Sequence, residues 1–227
     1  MNILYEDNHL LGIVKDAGLL IQGDRTGDIT LLDLARDYVK RKYKKPGNVF
    51  LGLVHRLDRP VSGVVFFART SKAASRLSNE FRLRQVEKVY WAVVEGELRE
   101  RTGSLESHLG RSKKRSHRAK GSSAGAKPAI LCYRLLSTRK GLSLVEVRPS
   151  TGRHHQIRVQ LSDAGYPIVG DVKYGASEAL SARQIALHGV ALSVKHPVKE
   201  EIITIQAPPP EDFPWNQFRT AIEARFQ

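Results

Sequence analysis

The sequence predicts an α+β fold in which a mixed, largely antiparallel sheet is flanked by helices and loops. Three observations predict it. Apolar runs of strand length recur along the 227 residues. Two segments carry the three-to-four-residue apolar spacing of amphipathic helices. Strands and helices mix without the regular strand–helix–strand repeat of a parallel sheet. With 41% apolar residues the chain can bury a full core, and one domain over 1–227 is expected.

Taken in order, residues 3–5 and 10–14 read as a first hairpin turning at Asp7 and Asn8. Thr30 is placed to cap a helix in which Leu31, Leu34, Ala35, Tyr38 and Val39 form one apolar stripe. Lys40, Arg41 and Lys42 complement the dipole at its end. The run VVFF at 64–67 reads as a buried strand. A second helix, 71–84, is expected to bury Ala74, Leu77 and Phe81 and to show Lys72, Arg76, Arg82 and Arg84 on its other face. Strands follow at 89–94, 130–136, 142–147, 190–194 and 202–205, interrupted by a helix at 154–164. Alternation puts Tyr90, Ala92 and Val94 on one face and Val89, Trp91 and Val93 on the other, with Trp91 in the core. The stretch 111–127, RSKKRSHRAKGSSAGAK, has seven Lys or Arg and no acid, and is expected to be a mobile basic loop.

Lys and Arg outnumber Asp and Glu by 37 to 23, a net charge of +14. A surplus of that size points first to nucleic acid and second to an anionic membrane. No apolar run approaches the ~18–20 residues a membrane span needs, and no helix has the Trp/Phe face of a membrane-surface protein. Asn2, Glu6 and Asp7 stand where a secretory signal would be basic and then apolar. The single cysteine, Cys132, rules out an internal disulfide and fits a reducing compartment, so a cytoplasmic location is expected. Its neighbours in ILCYRLL suggest a buried strand position. His154 and His155 are adjacent, about 100° apart on a helix, which is no metal-binding spacing.

The most informative segment is 55–67, HRLDRPVSGVVFF. Asp58 stands between Arg56 and Arg59 at a turn marked by Pro60 and Gly63, just before the apolar run. A carboxylate so placed is expected to be held ionised by its neighbours and fixed by the scaffold, as a nucleophile or base must be. The other reading is an acid that neutralises arginines in a solvated loop.

This segment resembles the signature of the RluA-type pseudouridine synthases. ILYEDNHLLGIVKDAGLL (3–20) is similar to that family's first hairpin, EKVYWAVVEG (87–96) to its second motif and RPSTGRHHQIRVQLSDAGYPIVGDVKYG (148–175) to its third. The ending LHGVALSVKHPVKEEIITIQAPPPEDF (187–213) is of the same kind, so the resemblance covers nearly the whole chain. It implies a pseudouridine synthase catalytic domain that isomerises uridine in ribosomal or transfer RNA. The reaction is redox-neutral, and no cofactor or metal is expected. Residues 1–50 carry nothing similar to the small S4-like RNA-binding domain of many members, so a catalytic domain alone, acting as a monomer, is expected.

The resemblance also implies roles. Asp58 is the essential carboxylate on the ribose side of the glycosidic bond; attack on the anomeric carbon and proton removal from the neighbouring sugar carbon both stay open. Arg158 is the basic residue that pairs with it. Tyr90 stacks on the flipped base and assists proton removal from carbon 5. Arg56 enters the RNA stack as the base leaves, and His55 braces the loop. For Arg153, phosphate binding and a structural pairing stand side by side. Lys113, Lys114 and Arg115 are candidates for gripping phosphate, against a merely solvated loop. Gly170, Asp171, Tyr174 and Gly175 would shape a turn under the site, and Gly152 the tight entry to the Arg158 helix. Three positions depart from the family pattern while leaving each expected catalytic group in place. Val61 replaces a common threonine, His154 replaces threonine or lysine, and Asp16 replaces proline in a turn expected to be looser for it. The rival function is an RNA-binding or RNA-folding protein that keeps the scaffold without turnover.

Overall fold

The computed structural model describes residues 1–112, 115–119 and 125–226. In chain order its elements are β1 (Asn2–Glu6), β2 (Leu10–Lys15), α1 (Leu31–Lys42), β3 (Gly52–Leu53), β4 (Ser62–Ala68), α2 (Ser71–Leu83), β5 (Glu87–Glu95), β6 (Thr102–Ser112), β7 (Arg115–Arg118), β8 (Lys127–Arg139), β9 (Leu142–Pro149), α3 (Gln156–Asp163), β10 (Leu187–Lys195), β11 (Ile202–Gln206) and α4 (Arg219–Glu223). The class is α+β, as the mixture of periods predicts. Two compact units are distinguished, Met1–Glu87 with Gly189–Ala207, and Lys88–His188 with Pro208–Gln227.

In the first unit the strands run β1–β2–β4–β10, with β3 on β4 and β11 on β10. Strands β2 and β4 are antiparallel, from Leu10 opposite Ala68 to Lys15 opposite Gly63. That register aims the wholly buried β4, which positions the Asp58 loop before it. The core gathers Leu10, Val64, Phe66, Ala68, Leu77, Leu192, Val194 and Ile205, and each of these side chains larger than alanine contributes about 1.5–3 kcal/mol when fully buried. Thr30 caps α1 in a reciprocal box with Asp33. Leu31, Ala35 and Val39 are its buried stripe, whereas Leu34 is exposed. In α2 the buried residues are Ala73 and Leu77, with Ala74 and Phe81 packed at the margin. Arg84 ends that helix in the left-handed region. Gly63 has φ +133, and a Cβ there would collide with the Gly189 backbone of β10. Only glycine permits that close strand approach.

In the second unit the order is β5–β9–β8–β6–β7, every neighbouring pair antiparallel. The stretch 111–127 is corrected here. Its first residues end β6, Arg115–Arg118 form β7 paired to Leu109–Ser112, and Ser116 is buried. Lys113, Lys114 and 120–124 lie outside the described residues. Strand β6 escaped the sequence reading because its inner face carries Gly103, Leu105, Ser107 and Leu109, only two of them apolar. Cys132, expected inside, is exposed on β8, since the inward positions are Ala129 and Leu131. Trp91 is buried, edge-on to Phe226 with ring centroids 5.5 Å apart. Helix α3 is sewn to the sheet by Gln160, whose amide donates to Leu105 O, Ala129 O and Ser107 Oγ at 2.9–3.1 Å.

Candidate active site

Asp58 lies half-buried in the loop between β3 and β4. Its backbone carbonyl accepts the Val61 N–H at 3.1 Å, closing a tight turn. On one side the loop is held by His55, whose Nε2 accepts the Phe66 N–H at 3.0 Å while its ring stacks on Phe81 at 4.9 Å. His55 therefore braces the loop. On the other side stands Lys15, a residue that the reading of the sequence passed over. Its side chain is fully buried, and Nζ donates to Val61 O at 2.7 Å, Asp16 O at 2.9 Å and Arg59 O at 3.2 Å. Three carbonyls match the three donors of an ammonium. Two of them, Arg59 O and Val61 O, belong to the turn that begins at Asp58, so Lys15 fixes the backbone that presents the carboxylate. Its signal in the sequence is phase: Lys15 continues the alternation of Leu11 and Ile13.

Arg59 is a correction. Rather than clamping Asp58, its guanidinium donates to Asp28 at 2.7 Å and to Gly18 O at 2.9 Å. Gly18 N–H returns a 2.8 Å bond to Arg59 O. The Lys15–Gly18 turn is thus tied down, despite Asp16 standing where proline is usual. Within this unit the Asp58 carboxylate favours the charged form of Lys15.

Burial pushes the Lys15 ammonium down to about 8, while the Asp16 and Asp58 carboxylates pull it back up. A lysine lowered from its unfolded range weakens folding fully below about pH 8, and that penalty is relieved as pH rises toward the unfolded lysine value. The stability of the wild type relative to Lys15→Met is therefore expected to rise by about 3 kcal/mol between roughly pH 8 and 10.5. Urea unfolding of both proteins across that window measures it, and parallel profiles would contradict it.

In the second unit α3 presents Arg158. Gln156 is the organiser: its Oε1 accepts from Thr151 Oγ1 at 2.7 Å and from Arg153 N–H at 3.0 Å, and its Nε2 donates to Ile130 O at 3.0 Å. Gly152, expected to make the tight entry, has no positive φ, and a Cβ there would meet nothing closer than Lys88 Nζ at 3.8 Å. The left-handed residue at the helix start is His155 instead, with φ 55. Arg158 is buried and bidentate to Asp171, Nε to Oδ2 at 2.6 Å and Nη2 to Oδ1 at 2.8 Å. Gly170, with φ +86 and no room for a Cβ against Leu180 and Gln184 O, brings Asp171 to that position. Tyr174 lies with its ring centre 5.0 Å from the Arg158 guanidinium carbon. Asp171 and Tyr174 are more than turn residues, because they grip the Arg158 side chain. Their signal in the sequence was the matched VGDVKYG itself.

The remaining candidates sit as follows. Tyr90 is half-buried on β5, opposite Val147 of β9. Arg56 is exposed in the first unit beside Asp58 in sequence. Arg153 donates from Nε to Pro128 O at 3.0 Å. Arg115 lies over the Tyr174 ring at 5.2 Å. Lys113 and Lys114 are outside the described residues.

Comparison with known proteins converges on one family. A model described as RNA pseudouridylate synthase matches residues 9–163. The chain is 35% identical over 216 residues to the uncharacterized RNA pseudouridine synthase YhcT of Bacillus subtilis, covering 93% of this chain and 70% of that protein. It is 34% identical over 231 residues to ribosomal large subunit pseudouridine synthase D of Pseudomonas aeruginosa, covering 95% and 70%. Among solved structures, Human RNA Pseudouridylate Synthase Domain Containing 4 superposes with a TM-score of 0.80 at 27% identity, over 97% of this chain and 92% of that one.

Proposed function

This chain belongs to the RluA-type RNA pseudouridine synthases, and on that premise we propose that it modifies chosen uridines of ribosomal or transfer RNA with Asp58 as the essential carboxylate. It is an RNA-modifying isomerase. The bond between N1 and the anomeric carbon breaks, a bond from C5 to that carbon forms, and the C5 proton is lost while N1 regains one. Atoms and electrons balance within the nucleotide and water, so no co-reactant is required. The observation that carries the role of Asp58 is its loop. Lys15, His55 and the Gly18–Arg59 bonds fix the backbone on both sides of the carboxylate before any substrate arrives. Tyr90 serves as the phenol that stacks on the flipped base, Arg158 as the basic catalytic residue, and Arg56 as the guanidinium that fills the vacated stack.

The relatives of Pseudomonas aeruginosa and Rickettsia prowazekii are named ribosomal large subunit pseudouridine synthases, which makes large-subunit rRNA the first RNA to try. We place the enzyme in the cytoplasm as a monomer; among the described residues no helix is long and apolar enough to cross a membrane. The functional test is tritium release from [5-³H]uridine-labelled rRNA and tRNA transcripts, with no cofactor added. Release supports turnover, and tight binding without release favours the scaffold-only rival.

A net charge of +14 supplies a phosphate-binding term. Neutralising Lys113, Lys114 and Arg115 together is expected to weaken RNA binding and to reduce the slope of log K against log[salt] by roughly 0.7–0.9 for each phosphate that is no longer neutralised. Filter binding at several salt concentrations measures the slope, and an unchanged slope returns these residues to solvent.

A further inference from the structure

We propose that Tyr174 is a positioning residue that couples the basic β6–β7 hairpin to the Arg158 guanidinium, so that RNA held by the hairpin and the placement of Arg158 depend on one another. The proposal rests on the reading of Arg158 as catalytic and of the hairpin as RNA-binding.

The linkage is a continuous set of contacts inside the second unit. Tyr174 is buried, and its phenol oxygen accepts the Ser116 N–H of β7 at 3.0 Å and bonds His155 Nδ1 at 2.7 Å. Burial, and then the charges of Arg158, His154, Lys173 and Arg111, push His155 far below the usual imidazole range. Burial raises the phenol above its own. The phenol oxygen has two lone pairs, so it can accept the Ser116 N–H whichever way the proton lies between it and Nδ1. A second tie joins the same strand to the start of α3, Ser116 Oγ with His154 Nδ1 at 2.9 Å, and the two imidazoles stack at 3.7 Å. His154 is one of the three positions that depart from the family pattern.

On its other side Tyr174 reaches Arg158 twice. The ring lies 5.0 Å from the guanidinium carbon, and the Tyr174 N–H donates to Asp171 O at 2.9 Å, in the turn whose carboxylate holds Arg158. Arg115, next to Ser116, also lies over the Tyr174 ring at 5.2 Å. A phosphate drawn to Arg115 therefore acts on a ring that Arg158 shares. Coupling through such a connected set of packed and hydrogen-bonded groups is a free energy that acts in both directions.

Tyr174→Phe keeps the ring and deletes the phenol oxygen. Without RNA, hydrogen exchange of the Ser116 amide is expected to speed up about ten-fold or more in this variant, with the β8 and β9 amides unchanged. Unchanged Ser116 exchange overturns the link. With full-length protein in excess over [5-³H]uridine-labelled large-subunit rRNA transcript, the saturating single-turnover rate is expected to fall about ten-fold while the half-saturating concentration moves less than two-fold. Arg115→Ala should lower that rate more in the wild type than in Tyr174→Phe. Additive effects, or a change confined to half-saturation, overturn the coupling. If Tyr174→Phe does not fold, His154→Thr carries the same readout with an expected three-fold loss of rate, and no loss overturns the proposal. Absence of tritium release by the wild type would count against the catalytic reading instead, and the exchange measurement would still decide the link.

Discussion

Asp58→Asn is expected to remove turnover while leaving RNA affinity within a few-fold of the wild type. The substitution is nearly isosteric, and the backbone that presents residue 58 is fixed by groups other than its carboxylate. Lys15 bonds the carbonyls of residues 59 and 61, and His55 bonds the Phe66 N–H. An amide there neither attacks an anomeric carbon nor takes a proton, so the rate should fall by about 10²–10⁴-fold or below detection. Single-turnover tritium release and filter binding on the same RNA separate the two effects. Loss of binding in step with turnover, with an altered melting curve, would mean that Asp58 holds the loop together rather than acting on the sugar.

Asp171→Ala is expected to be the most destabilising of the substitutions considered, by about 3–5 kcal/mol. Arg158 and Asp171 side chains are 6% and 1% exposed, and both nitrogens of the fork are committed to the carboxylate. Removing the acid leaves a buried guanidinium short of two partners, and truncation to alanine adds a cavity. For a chain of this length the melting temperature should drop by about 10–15 °C. Replacing the pair by apolar residues, Arg158→Met with Asp171→Leu, should recover much of that stability without recovering turnover. Thermal melts of the single and double variants test both halves. A single variant that melts with the wild type would show that the pair adds nothing to folding.

Where local period and capping decide structure, the sequence was readable. The Thr30 cap, the α2 stripe around Leu77 and the buried strand after Asp58 are found where their residues put them. Strands β6 and β7 were not readable, because glycine, serine and arginine fill them and their order comes from pairing with neighbours. Cys132 was misplaced because ILCYRLL is apolar on both faces of its strand, so the alternation is hidden. The site was legible as motif and not as geometry. HRLD marked Asp58 between Arg56 and Arg59, yet the Arg59 guanidinium answers to Asp28 across 31 positions. Lys15, which holds the Asp58 loop in the first unit, lies 43 positions from Asp58, and Asp171, which holds Arg158 in the second, lies 13 positions from Arg158. Such partners are chosen by the fold, which local spacing does not reveal.

The most direct test of the central claim is a nucleotide-resolution map of pseudouridine in rRNA and tRNA transcripts incubated with wild type or Asp58→Asn. The account predicts at least one new pseudouridine at a defined position with the wild type and none there with the variant. The same modified position in both samples would contradict it.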